Sequence, residues 1–282
     1  MTLTLSLGFP MNLDEGEVPV LRIRHRVDGG PDMLFAEEAD RPAPGAGEML
    51  IRVEAIGVTL PTVRKVRAGG EPVTLGGEVA GEIVALGAGV TDFSPGDRVT
   101  GLCFADAYAE FAVLNTAMAS PIPLDATAVE AVALVRSGLV ARGAYEAARP
   151  ESGESVLVTA AASGVGTLAL QYARAGGASR VVAAVSSVEK ADFVRGLGAD
   201  EVVRYQDADW GAPYDVILDG VGGDLLGPAV RSLATGGRLV AYSSGGGTVE
   251  AYELLARGAS VIGFQIRAIA TSFSRSLRWR MS

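Results

Sequence analysis

The sequence predicts an α/β protein of two domains: an all-β N-terminal domain and a C-terminal domain built on a doubly wound parallel sheet. Its 282 residues are enough for two domains. Near residue 125, short β-like runs between glycine and proline turns give way to alternating apolar strands and helices. The expected segments are a flexible N-terminal extension over 1–17, the β domain over 18–124, the parallel-sheet domain over 125–270 and an atypical basic tail over 271–282.

Composition narrows the possible partners. Hydrophobic residues make up 49% of the chain, enough to build sizeable cores. The net charge of −9 would repel a phosphate backbone, so we expect no nucleic-acid partner. The N-terminus has no basic region, and no uninterrupted apolar run reaches the roughly 18–20 residues of a membrane span. The sequence therefore predicts a cytoplasmic protein without a membrane partner.

The scarcest residue types exclude several kinds of site. The chain has one cysteine, Cys103, and one histidine, His25. An internal disulfide is therefore excluded. Structural zinc sites depend on three or four Cys and His ligands, so such a site is excluded too, and the same shortage argues against a catalytic zinc. We expect no metal.

The N-terminal half carries the signature of short strands. β-like runs occupy 49–56, 81–86 and 97–100, and the turn clusters at 42–47 and 94–97 punctuate them. This pattern predicts an all-β domain with little helix.

The C-terminal half alternates strands with helices. Residues 126–148 are alanine-rich with helical spacing and open this domain. The expected strands are 155–160, 180–185, 201–205, 214–219, 238–242 and 260–266, and the expected helices lie near 165–175, 188–196, 224–234 and 249–257. Such near-continuous apolar strands indicate a parallel sheet covered on both faces. Six strands with right-handed crossovers predict a dinucleotide-binding sheet.

A glycine turn follows the first of these strands, over residues 160–166. Measured against G-x-G-x-x-G, Ala161 and Ser163 replace the first two glycines and Gly166 keeps the third. The backbone N–H groups of residues 163–165 would then face a pyrophosphate at the positive end of the helix. The alternative is an ordinary tight turn between a strand and a helix.

The end of the second strand bears on which cofactor binds. NAD sites place an acidic residue there, about 20 residues after the glycine turn, to bind ribose hydroxyls. Here the strand ends in Ser186 and Ser187 without a carboxylate, and Lys190 follows. A missing carboxylate admits a 2′-phosphate, so the sequence favours NADPH over NADH. The alternative for Lys190 is a solvated surface lysine.

These motifs resemble a known family. The runs VLVTAAASGVGTLALQYARAGGA, VSSVEK and LGADEVVRY are similar to the zinc-free quinone oxidoreductases of the medium-chain dehydrogenase/reductase superfamily, which include the zeta-crystallins. The segments Gly77–Gly81 and Pro95–Val99 resemble the GroES-like β-barrel domain of that family. The resemblance spans residues 18–266. It implies an NADPH-dependent reductase with a C-terminal Rossmann domain.

The resemblance also implies a cofactor site. Pyrophosphate would bind the glycine turn, the 2′-phosphate would lie at Ser186, Lys190 and Tyr205, and the nicotinamide would lie near the last strands. The candidate cofactor residues are Ala162, Ser163, Gly164, Val165, Gly166, Ser186, Ser187, Lys190, Tyr205, Gly220, Val221, Ser243, Ser244, Gly245, Phe264 and Gln265. Alternatively, Tyr205 is a strand-end aromatic residue and 243–247 a flexible loop.

Three residues are candidates for catalysis. Thr59 stands where the family often has an asparagine, and Arg64 lies in the loop on the substrate side. Tyr108 could hydrogen-bond an enolate. The alternatives are a solvated cation for Arg64, a packed strand residue for Tyr108 and water as the proton source.

The expected substrate is a small conjugated carbonyl compound or a quinone. Without zinc to polarise a simple ketone, a conjugated acceptor is favoured because charge spreads through it. The resemblance also implies a homodimer, with 260–266 as the apolar edge strand. The chain ends at Ser282 without the family's closing segment. A repurposed enzyme that performs a non-redox cyclisation or elimination, and a non-catalytic NADPH-binding protein, are therefore the alternatives.

Overall fold

The computed structural model describes residues 19–26, 29–70, 73–103, 105–207, 209–211, 213–243 and 245–266. It divides into two compact units, and the division falls between Arg136 and Ser137. The domain boundaries drawn from the sequence stay a prediction, and the extension 1–17 and the tail 271–282 lie outside the described residues. Among the helices described, none has both the length and the apolar character needed to traverse a bilayer.

The first unit confirms the predicted β domain. Its strands are β1 (Val20–His25), β2 (Leu34–Ala39), β3 (Glu48–Ile56), β4 (Gly77–Leu86), β5 (Arg98–Cys103), β6 (Phe111–Asn115) and β7 (Ala119–Pro121). An antiparallel sheet has the order β6-β3-β4-β5-β7, and β1 pairs with β2. Met49 and Ile51 alternate along β3 and are fully buried, as are Val79 and Ile83 of β4. These side chains form the core of the unit.

A helix replaces part of the loop expected over 57–64. Helix α1 spans Leu60–Ala68, with Thr59 as its N-cap residue and Pro61 in its first turn. Proline suits this position because its missing N–H has no helical partner there. The helix ends at Gly69, whose φ of +65° favours glycine. The expectation of a loop was therefore wrong for residues 60–64, although the start and stop residues of the helix were present in the sequence.

The second unit confirms the doubly wound parallel sheet. Its strands are β8 (Ser155–Val158), β9 (Arg180–Val185), β10 (Glu201–Arg204), β11 (Tyr214–Asp219), β12 (Leu233–Ala241) and β13 (Ser260–Gly263). The remaining helices are α2 (Ala128–Ala147), which spans the division, and α3 (Gly164–Ala175), α4 (Ala191–Gly196), α5 (Leu226–Arg231) and α6 (Ala251–Arg257). Val156 and Val158 pack into one core and Leu157 into another, so both faces of the sheet are covered.

The strand order fixes where a ligand should bind. The sheet runs β10-β9-β8-β11-β12-β13, and all its pairings are parallel. The chain moves outward from β8 to β10 and then returns to β11 on the other side of β8. This reversal is the topological switch point, where ligands bind beyond the carboxyl ends of the strands. At the outer edge, β13 is shorter than the expected 260–266, and dimerisation through it stays a prediction.

Candidate functional site

The turn after β8 provides two free backbone donors. Ser163 is the N-cap residue of α3, and its Oγ accepts a hydrogen bond from the N–H of Gly166 at 3.0 Å. Its own N–H donates to the Ala160 carbonyl at 2.8 Å, which corrects the expectation that this N–H is available to a phosphate. The N–H groups of Gly164 and Val165 have no acceptor within the described residues. They are the two donors that an anion at this helix end would use.

Gly166 allows α3 to approach the turn closely. A Cβ atom at this position would overlap the Ala160 carbonyl oxygen and lie 2.7 Å from the Ala161 Cα. Both neighbours are backbone atoms, which cannot rotate away as a side chain can. Ala162 and Val165 pack their side chains against the adjacent core, whereas Ser163 and Gly164 are exposed. The exposed side of the turn therefore carries only small residues, and its other side is closely packed against the core.

The residues proposed for the 2′-phosphate lie together at the ends of β9 and β10. Lys190 Nζ donates to Ser186 Oγ at 2.7 Å, and both residues are exposed. The Tyr205 N–H donates to the Val185 carbonyl at 3.1 Å, which places Tyr205 beside Ser186. Ser187 is differently engaged, because its hydrogen bond with the Glu189 carboxylate lowers the pKa of Glu189.

Tyr205 also contacts the glycine turn. Its hydroxyl accepts a hydrogen bond from the Ala160 N–H at 3.0 Å. Burial raises the pKa of this phenol, so it stays protonated at neutral pH. Tyr205 thus connects the end of β10 to the turn after β8, a role that a simple strand-end aromatic residue would not have.

A buried carboxyl group, Asp219, joins the two turns at the switch point. Thr159 Oγ1 donates to Asp219 Oδ1 at 2.7 Å and accepts from the Gly220 N–H at 2.9 Å. The N–H groups of Val221 and Gly222 donate to the same carboxyl at 3.1 and 3.0 Å. Sequence analysis missed this role of Asp219. The available signal was an acidic residue at the end of an otherwise apolar strand.

The loops after β11 and β12 lie in contact. The Gly223 N–H donates to the Gly246 carbonyl at 2.8 Å. A Cβ atom on Gly245 would overlap the Val221 carbonyl oxygen, so these two backbones meet directly. Ser243 Oγ accepts from the Gly245 N–H at 3.2 Å. The structure therefore brings together the two loops predicted for the nicotinamide side.

The remaining predicted cofactor residues follow β13 or are not described. The Phe264 N–H donates to the Ala241 carbonyl at 2.9 Å, which holds Phe264 beside the end of β12. Gln265 comes next and is exposed. Ser244 lies outside the described residues.

The predicted catalytic residues lie in the first unit. The Tyr108 hydroxyl donates to the Gly57 carbonyl at 3.1 Å. Burial, together with the nearby Glu78, raises the pKa of Tyr108 to about 12, so its proton is retained. Thr59 caps α1 through its backbone, with its Oγ1 atom 3.4 Å from that of Thr62. Arg64 lies on α1.

Glu78 is a buried acid that sequence analysis missed. Its side chain is 3% exposed, and Oε1 lies 3.9 Å from Arg136 Nε. Oε2 is buried and has no hydrogen-bond partner among the described residues. Burial raises the pKa of Glu78 to about 7, against the opposing effect of Arg136. Its sequence signal was a single acid within the apolar run Gly77–Gly81.

We expect Glu78 to make the stability of the protein depend on pH. The pKa rises from 4.5 to about 7 on folding, so the folded state favours the protonated acid. Its contribution is fully present below pH 4.5, falls as the pH rises toward 7, and is lost above that value. The loss is on the order of 3 kcal/mol. Chemical denaturation across this pH range should show the free energy of unfolding falling with pH in the wild type and not in Glu78→Gln.

The control is Glu82→Gln on the same strand, which carries a half-exposed ion pair with Arg52. This variant should keep the wild-type slope between pH 4.5 and 7. An unchanged slope in Glu78→Gln would contradict the assignment to Glu78.

The lone cysteine and histidine are engaged within the β domain. The Cys103 thiol donates to the Ala105 carbonyl at 3.0 Å, and burial raises its pKa, so it is a poor nucleophile. The buried His25 Nε2 lies 3.1 Å from the Gly29 carbonyl, and its Nδ1 accepts from the Val73 N–H at 3.4 Å. Both residues therefore have structural contacts.

Two family models match the chain. Residues 45–124 match the alcohol dehydrogenase GroES-like domain, and residues 164–280 match the family described as zinc-binding dehydrogenase. The second description refers to zinc, although the chain carries one cysteine and one histidine. The first match begins after β2 and lies within the β domain, and the second begins after β8 and includes the rest of the parallel sheet.

Individual relatives agree with these domains. Quinone oxidoreductase from Rattus norvegicus is 32% identical over 259 residues, covering 84% of this chain and 78% of the relative. Acryloyl-coenzyme A reductase from Metallosphaera sedula is 34% identical over 249 residues, covering 76% and 74%. A mycobacterial protein solved in complex with NADPH superposes with a TM-score of 0.81 at 31% identity, covering 90% of this chain and 84% of that structure. The chain belongs to the quinone oxidoreductase family of the medium-chain dehydrogenase/reductase superfamily.

Proposed function

We propose that this protein is an NADPH-dependent reductase that transfers hydride to a quinone or an α,β-unsaturated carbonyl compound. The observation that carries the proposal is the set of groups at the carboxyl ends of β8 and β9. The N–H groups of Gly164 and Val165, without an acceptor among the described residues, open a 12-residue helix, and Lys190 with Ser186 presents a cation and a hydroxyl nearby. Donors and a cation in this arrangement suit the phosphates of a dinucleotide.

The residues present fit NADPH. The exposed part of the glycine turn carries only a serine and a glycine, Ser163 and Gly164, where a pyrophosphate must approach the backbone, and a Cβ atom on Gly166 would collide with the backbone of the turn. Residues 180–187, which form β9 and its end, include no carboxylate of the kind that an NAD site needs there and that would repel a 2′-phosphate. The carboxylate of Glu189, in the turn that follows, is hydrogen-bonded to Ser187. The NADPH complex of the mycobacterial relative and the names of the reductases above support the same cofactor and a small-molecule substrate.

NADPH supplies the hydride when bound, and the protein supplies placement. Gly164 and Val165 would hold the pyrophosphate, Lys190 and Ser186 the 2′-phosphate, and the loops at 220–223 and 243–247 the nicotinamide side. The Tyr108 hydroxyl is already used in positioning Gly57 and keeps its proton, so we assign to water the one proton that, with the hydride, completes the reduction. A conjugated acceptor requires the least electrophilic help from these residues.

Lys190→Ala tests the choice of cofactor. Loss of the ammonium group should weaken NADPH binding about 10- to 100-fold, because a hydrogen bond to a charged phosphate is lost. Binding of NADH, which has no 2′-phosphate, should stay within about twofold. Fluorescence titration of both nucleotides measures this, alongside NADPH oxidation with quinones and 2-enones by the wild type.

The controls are Lys190→Arg, which keeps the cation, and Arg195→Ala, which removes an exposed cation of α4 paired with Asp192. Both should retain most of the preference for NADPH. Equal losses for NADPH and NADH in Lys190→Ala would contradict the 2′-phosphate assignment. If the protein binds NADPH tightly but oxidises it with none of the acceptors, it is better explained as a non-catalytic binding protein. If it turns over a substrate without any nicotinamide cofactor, it is better explained as a non-redox enzyme.

A further inference from the structure

Tyr242 carries a buried hydroxyl that has no partner among the described residues. The residue follows β12 at the carboxyl edge of the sheet, and its N–H donates to the Asp219 carbonyl at 3.1 Å. Its ring packs against the apolar core of the second unit. The side chain is therefore held in place, yet its hydroxyl has no hydrogen-bond partner within the described part of the chain.

The hydroxyl lies directly beneath the turn after β11. A Cβ atom on Gly220 would come within 2.7 Å of the Tyr242 oxygen, so only the absence of a side chain at 220 makes room for it. Burial and the proximity of Asp219 and Tyr205 raise the pKa of Tyr242. The group is thus a neutral donor throughout the ordinary pH range.

Two polar groups that influence Tyr242, the Asp219 carboxyl and the Tyr205 hydroxyl, already accept hydrogen bonds from elsewhere. The Asp219 carboxyl receives hydrogen bonds from Thr159, Val221 and Gly222. The Tyr205 hydroxyl receives one from Ala160. An unpaired buried hydroxyl costs stability, whereas phenylalanine would fill the same apolar space without that cost. A bound group that accepts a hydrogen bond from the hydroxyl would remove this cost.

We propose that the Tyr242 hydroxyl donates a hydrogen bond to an oxygen of the nicotinamide–ribose half of bound NADPH, which makes Tyr242 a cofactor-binding residue. The inference rests on the proposed function, which places that half at Gly220 and Val221. Three of the four residues in the covering turn 220–223 are glycine, and Gly222 and Gly223 have positive φ values. At Gly220, the turn residue next to the hydroxyl, there is no side chain to stand between the hydroxyl and a ligand.

The test is Tyr242→Phe, measured with two ligands and by thermal unfolding of the ligand-free protein. NADPH binding should weaken about five- to tenfold, the loss of one hydrogen bond. Adenosine 2′,5′-bisphosphate, which lacks the nicotinamide half, should bind as it does to the wild type. The melting temperature of the ligand-free variant should be equal to or higher than that of the wild type, because an unpaired hydroxyl has been removed.

Tyr172→Phe, the same chemical change on α3, is the control and should leave binding of both ligands unchanged. An unchanged NADPH affinity in Tyr242→Phe overturns the inference. Equal losses of affinity for both ligands, together with a lower melting temperature, also overturn it, because they would show that Tyr242 has a structural role. If the wild type itself fails to bind NADPH, the proposed function falls and the inference falls with it. The wild-type titration therefore separates the two failures.

Discussion

Replacing Gly166 with alanine should lower the free energy of unfolding by roughly 3–5 kcal/mol and abolish NADPH binding. The added Cβ atom would overlap the Ala160 carbonyl oxygen and lie 2.7 Å from the Ala161 Cα. Because both obstacles are backbone, α3 must move away from the end of β8. That movement would open the core beneath α3 and displace the free N–H groups of Gly164 and Val165. Urea denaturation and NADPH titration measure the two effects.

Two other glycine-to-alanine changes provide matched controls for Gly166→Ala. Gly138 lies inside α2, and a Cβ atom there would meet nothing within 4 Å. Gly138→Ala should therefore stabilise the protein by up to about 1 kcal/mol, the opposite sign, because alanine favours helix. At Gly164 the atom nearest to an added Cβ would be the Ser137 Oγ at 3.0 Å, which can rotate away. Gly164→Ala should therefore change the free energy of unfolding only slightly. If Gly166→Ala is as stable as the wild type, the close approach of α3 to the end of β8 is not required.

The fold followed from sequence because its signals extend over many residues. Runs such as 180–185 and 214–219 are long, apolar and regularly spaced, so their strand assignment does not depend on any one side chain. The glycine turn was recognisable for the same reason, since strand, small residues and helix occur in a fixed order. Helix α1 was missed because its apolar pattern is weak and the helix buries only Val66.

Individual polar groups of the site could not be predicted in this way. Asp219, Glu78 and Tyr242 each occur singly at or near a strand, without a periodic pattern that would mark them. Their roles depend on which backbone groups surround them, and that depends on the three-dimensional approach of distant segments. The engagement of the Ser163 N–H likewise depends on the conformation of Ala160, whose φ is +50°. A sequence motif does not specify such a local conformation.

Asp219→Ala should cost roughly 3–5 kcal/mol of stability and weaken NADPH binding at the same time. The change removes the acceptor for the Thr159 hydroxyl and for the N–H groups of Val221 and Gly222. These donors lie in a buried region, where unpaired polar groups are costly. Chemical denaturation and NADPH titration check the result, with Asp224→Ala as the control because Asp224 is exposed. The control should change stability by no more than about 0.5 kcal/mol.

The coupling of stability and binding is what distinguishes Asp219 from Lys190. Lys190 is exposed, so its loss should affect the phosphorylated nucleotide and leave the melting temperature of the ligand-free protein unchanged. Asp219 joins the turn after β8 to the turn after β11, so the same hydrogen bonds hold the fold and shape the cleft. Thr159→Val removes one bond of this set, and its effect should not add to that of Asp219→Ala in the double variant. Additive losses would mean that Asp219 stabilises each turn separately, without joining them.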